Sequence, residues 1–136
     1  TAKEVCSNLA ENPSTLIIFP EGTRYSSEKN QKQRAPYESL LKPKSVGIAT
    51  VVNEMHHKLD GIIDLTLKYT PNNTSLWSFL CGKLKKIDVH YRVIPITSDL
   101  IGQYRNDKDY RKRLQSWLNE RWSEKDQLMQ EMTNDS

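Results

Sequence analysis

Residues 15–24 constrain the fold more than any other stretch. Leu16, Ile17, Ile18 and Phe19 form an apolar, branched run that stops at Pro20, and Glu21, Gly22, Thr23 and Arg24 follow at once. An apolar run of this length bounded by turn residues predicts a buried strand. Upstream, Val5 and Leu9, with Ala2 and Cys6, recur at helical intervals until Asn12, Pro13 and Ser14 end the pattern. Helix, short turn and buried strand make the αβ step of a layered α/β domain. In open α/β sheets ligands bind beyond the carboxyl ends of the strands, so residues 21–24 fall where a ligand is expected. A guanidinium forks onto two phosphate oxygens, and a glycine lets backbone N–H groups approach closely. The rival reading is a plain turn in which Glu21 and Arg24 pair with each other in solvent.

A chain of 136 residues has room for one domain with a modest core, so residues 1–136 read as a single domain. Its net charge of +3 favours anionic partners only mildly. The basic residues are scattered among acidic ones and no nucleic-acid motif occurs, which argues against nucleic acid as a partner. No apolar run approaches the roughly 18 residues of a membrane-spanning helix. Residues 1–12 mix Lys3, Glu4 and Glu11 with apolar positions, unlike a signal peptide. Cys6 and Cys81 lack any CxxC partner and read as free thiols in a reducing compartment. Because Thr1 stands directly in helix-like sequence, the chain is expected to be an excised piece whose core is completed in part by other residues.

Residues 25–36 are polar and basic without apolar periodicity, which predicts a mobile loop. It reads either as a solvated linker or as a flap whose Lys29, Lys32 and Arg34 draw phosphates in. Pro43 and Gly47 bracket Lys44, after which Ile48, Val51, Val52 and Met55 take helical spacing. Proline suits a helix start, so Lys44 is expected near a helix N-terminus, where unpaired N–H groups favour anions. The alternative is a surface lysine with its stem over Tyr37 or Leu41. His56 and Asp60 would meet on a helix, but no further ligand follows at metal spacing, and a structural role is preferred.

Two alternating runs predict strands. In one, Ile63, Leu65, Leu67 and Tyr69 share a face opposite Ile62, Asp64, Thr66 and Lys68. In the other, Ile87, Val89, Tyr91 and Val93 oppose Asp88, His90 and Arg92, and the strand is expected to run to Ile96. Between them, the apolar residues 76–81 beside Lys83, Lys85 and Lys86 suit either a helix on an anionic bilayer or one packed on the core. Residues 107–132 place Tyr110, Leu114, Trp117, Leu118, Arg121, Trp122, Lys125, Leu128 and Met132 three and four apart. That predicts a long amphipathic C-terminal helix. Its other face carries both charge signs, so packing on the sheet is expected. Together these elements predict a small layered α/β domain, with a central sheet, flanking helices and a long C-terminal helix.

Phe19-Pro20-Glu21-Gly22-Thr23-Arg24 resembles the FPEGTR block of the 1-acylglycerol-3-phosphate acyltransferases, which esterify lysophosphatidate. Residues 41–47 resemble the Leu-Pro-x-x-Lys-Gly-like segment that follows the block in one branch of that family. Residues 63–67, Gly82-Lys83 and residues 117–126 are similar to the same branch, so the resemblance runs from about the first helix to near the end. Another branch carries an apolar, proline-containing strand after the block, and residues 63–67 have no proline.

The resemblance implies transfer of an acyl group from acyl-CoA or acyl carrier protein to lysophosphatidate, giving phosphatidate. It implies no further cofactor and no metal. Glu21, Gly22, Thr23, Arg24 and Lys44 become the acceptor-binding residues. This chain becomes the incomplete C-terminal part of a larger acyltransferase fold. The full-length protein would associate with a membrane surface, its catalytic domain on the cytoplasmic side, while this piece is soluble. The family's base belongs to an His-x4-Asp motif upstream of the block. Five residues after His56, His57 and His90 stand Gly61, Ile62 and Pro95, so no catalytic residue is expected in this chain and the piece alone is expected to be inactive. A non-catalytic module that binds anionic lipid is the alternative.

Overall fold

Alternation of polar and apolar residues makes strands here, as expected. In the computed structural model, which describes residues 15–70, 80–83 and 85–134, β1 (Ile62–Thr70) pairs antiparallel with β2 (Lys86–Ile94). The register runs from Ile62 opposite Ile94 to Thr70 opposite Lys86. β2 ends at Ile94 rather than Ile96, because Pro95 has no N–H for the ladder. Among the described residues the sheet has these two strands.

Among the described residues three α-helices accompany the sheet: α1 (Ser27–Gln33), α2 (Val46–Met55) and α3 (Lys108–Asn134). α2 follows its apolar spacing and buries Ile48, Ala49, Val52 and Met55. α3 begins where the Asp107 carboxylate accepts bonds from the N–H groups of Asp109 and Tyr110, both at 2.9 Å. Its Tyr110, Leu114, Leu118 and Trp122 join Tyr37, Ile48, Ala49, Val52 and Leu100 in one core. The α/β class and the long C-terminal helix therefore stand.

The sheet turns its polar face, not its apolar one, to α3. Thr66 and Lys68 are buried there. The Lys125 ammonium bonds to Asp64 and to the Leu65 carbonyl, and the Lys68 ammonium bonds to the Met132 carbonyl. The opposite face leaves Ile63, Leu65 and Leu67 of β1, with Ile87, Val89, Tyr91 and Val93 of β2, 40–66% exposed. A further layer over this face would bury them.

Two expected elements differ. Residues 15–18 are not a strand: Leu16, Ile17 and Phe19 are exposed, and of this run Ile18 alone packs against the core. A strand needs a neighbour for its backbone groups, and none of the described strands runs beside it. Residues 25–36 are not a loop but contain α1. The Ser26 hydroxyl caps it by accepting from the Lys29 N–H at 3.3 Å, and Arg34 closes it in the left-handed conformation with φ of 49°. Local capping thus forms a helix that buries no residue. The helix expected over residues 1–11 and the apolar segment around Trp77 lie outside the described residues.

Candidate functional site

The residues after Phe19 form a tight turn. The Gly22 N–H donates to the Phe19 carbonyl at 3.0 Å, and Gly22 adopts φ of 70°, which a side chain would strain. The Lys44 N–H donates to the Pro20 carbonyl at 2.9 Å, joining this turn to the Pro43-Lys44 segment. α3 holds that segment in turn: Gln115 donates to the Pro43 carbonyl at 3.0 Å and accepts from the Ser45 N–H at 3.2 Å. The Ser45 hydroxyl lies 3.1 Å from that of Tyr104 instead of capping α2. Lys44 itself is exposed, just ahead of the α2 N-terminus.

Glu21 and Arg24 do not pair. The Glu21 carboxylate accepts a hydrogen bond of 3.0 Å from the Trp122 indole. Burial pushes its pKa up from the usual value, while the Trp122 bond, the Leu41 backbone and the Lys125 charge each pull it down. Arg24 is exposed, and its guanidinium has no partner among the described residues. The Lys29 ammonium, from α1, donates to the Thr23 hydroxyl at 2.8 Å and to the Arg24 carbonyl at 3.1 Å. The turn thus presents a glycine, a hydroxyl and two cations to solvent, a donor set that suits phosphate.

A charged network lies beneath. Asp64 accepts from Arg92 at 3.0 Å and from Lys125, and Arg92 also bonds to Glu124. Burial works against the Arg92 charge, but the bonds to Glu124 and Asp64 outweigh it and hold its pKa above the usual value. Lys125 also sits 4.9 Å from the centre of the Trp122 ring. His90 lines a small cavity with Asp64, Arg92 and Lys125.

The other histidines form no dyad among the described residues. α2 ends at Met55, His56–Lys58 make one 3₁₀ turn, and the His56 ring lies 3.3 Å from the Asn53 carbonyl. The helix that would have aligned His56 with Asp60 is absent. Among the described residues no group of three or more His, Cys, Asp or Glu could hold a metal ion. Nor is any described helix long and apolar enough to cross a membrane. Sequence reasoning read Trp122 and Lys125 only as positions on a helix face. No local signal ties them to residue 21.

No family model and no solved structure matches the chain. Curated proteins do. The chain is 28% identical over 136 residues to the 2-acyl-1-lysophosphatidylinositol acyltransferase of Saccharomyces cerevisiae, covering 87% of this chain and 32% of that protein. It is 28% identical over 141 residues to 1-acyl-sn-glycerol-3-phosphate acyltransferase epsilon of Mus musculus, covering 88% and 36%. With lysocardiolipin acyltransferase 1 of Danio rerio it shares 28% over 130 residues, covering 87% and 31%. These relatives are acyltransferases of lysophospholipids. They support that family for this chain, which spans about a third of their length.

Proposed function

We propose that the full-length protein moves a fatty acyl group from acyl-CoA or acyl carrier protein to the free hydroxyl of lysophosphatidate, and that this chain holds the acceptor's phosphate. The hydroxyl oxygen attacks the thioester carbonyl, the carbon–sulfur bond breaks, and the hydroxyl proton passes to a base. That base is an upstream His-x4-Asp, outside this sequence.

The observation that carries the reading is the exposed Arg24 guanidinium, without a partner among the described residues, beside the Thr23–Lys29 bond and on a turn joined to Lys44. Arg24 forks onto two phosphate oxygens, and Lys29 and Lys44 add positive charge. Phe19 and Ile17, 79% and 72% exposed, put apolar surface at the same turn for a lipid. The acceptors named for the relatives all carry phosphate on glycerol, so lysophosphatidylinositol and lysocardiolipin belong in the assay. On this reading the full-length protein works at a membrane surface.

The test is steady-state kinetics of the full-length protein with acyl-CoA and lysophosphatidate. Arg24→Ala raises the acceptor's KM by about tenfold and leaves the thioester's unchanged, as loss of a charged contact to one substrate requires. Equal effects on both would make Arg24 structural. Binding of anionic vesicles without turnover, whatever the donor and acceptor, would favour the non-catalytic lipid module.

A further inference from the structure

We propose that Trp122 is a positioning residue for the acceptor site, anchoring the turn through Glu21 so that Arg24 faces solvent and the phosphate. A carboxylate and a guanidinium in one short turn ordinarily pair. Here the carboxylate is drawn inward by the indole N–H at 3.0 Å, and the guanidinium is left exposed, with no partner among the described residues.

The anchor is itself rigid. Trp122 is 7% exposed and belongs to the core. Its ring lies against the Lys125 ammonium, which is tied to Asp64 and to the Leu65 carbonyl of β1. Arg92 of β2 holds Asp64 from the other side at 3.0 Å. The turn's orientation is thereby set by α3 and the sheet, 101 residues along the chain from Glu21. The bond acts through Glu21 and leaves Trp122 out of contact with the lipid, which makes it positioning rather than catalytic.

The inference rests on the acceptor-binding reading, and a binding measurement separates the two. Glycerol 3-phosphate, the acceptor's headgroup, is titrated calorimetrically into the full-length protein, alongside kinetics with lysophosphatidate and acyl-CoA. Trp122→Phe keeps most of the ring but loses the N–H; it weakens headgroup binding and raises the acceptor's KM by about tenfold, with kcat and the thioester's KM unchanged. Glu21→Leu does the same, and the double variant is no worse than either single one. Glu21→Gln, which still accepts the indole bond, loses several-fold less affinity than Glu21→Leu. Should Trp122→Phe not fold, the contrast between Glu21→Gln and Glu21→Leu decides. Wild-type affinity in Trp122→Phe, additive losses in the double variant, or a Gln variant as weak as the Leu variant would each overturn the proposal. Headgroup binding without acyl transfer in wild type would overturn the proposed reaction alone; no headgroup binding would overturn both.

Discussion

The Lys44 N–H donates to the Pro20 carbonyl at 2.9 Å, so two segments that each suggest an anion site in the sequence are joined in the structure. A backbone bond of this kind survives substitution of the lysine side chain. Side-chain variants here therefore report on ligand contacts, with the scaffold left in place.

Lys29 lies at the turn because α1 forms. Lys29→Met removes its bonds to Thr23 and Arg24 and one positive charge. The acceptor's KM is expected to rise about threefold to tenfold, with less sensitivity to added salt, while kcat holds. Kinetics at low and high ionic strength check this.

The chain as given has no His-x4-Asp, and its described histidines make no dyad. Incubated alone with acyl-CoA and lysophosphatidate, it is expected to release no free thiol above background. Turnover in a thiol-release assay would place a base within these residues.

Asp64 balances Lys125 and Arg92, and the Lys125 side chain is only 9% exposed. Asp64→Ala leaves a buried ammonium unpaired and is expected to cost about 3 kcal/mol. Asp64→Leu with Lys125→Met is expected to recover much of that loss, since no uncompensated charge remains. Thermal melting of the wild type and the two variants distinguishes the outcomes.

Burial raises the Glu21 carboxyl's pKa in the folded state. A group raised on folding contributes stability that is fully present below its unfolded pKa and is lost as pH rises through the folded one. Glu21→Gln has no such loss. Its Tm relative to wild type is expected to grow as pH rises from about pH 4 through the raised pKa, and to level off above it. A flat difference across that range would mean the carboxyl titrates normally.

Much was legible in the residues themselves. Alternation placed β1 and β2 to within a residue or two, since a strand's side chains must point to opposite faces. Helical spacing placed α2 and α3 for the corresponding reason. The break at Pro20 and Gly22 was equally plain. α1 was missed because apolar periodicity is silent about a helix that buries nothing; its signals are the Ser26 cap and the closure at Arg34.

Sequence alone thus determined the elements whose causes are local: strand alternation, helical stripes and the turn at residues 19–22. Tertiary structure decided the rest. Residues 15–18 have the composition of a strand but no described neighbour to share backbone hydrogen bonds. The apolar face of β1 and β2 points outward, while long charged side chains are buried as pairs under α3. Glu21 turns from Arg24, its neighbour in sequence, to Trp122, its neighbour in space. Each outcome depends on which groups packing brings together, and a partner far along the chain leaves no trace in local propensity.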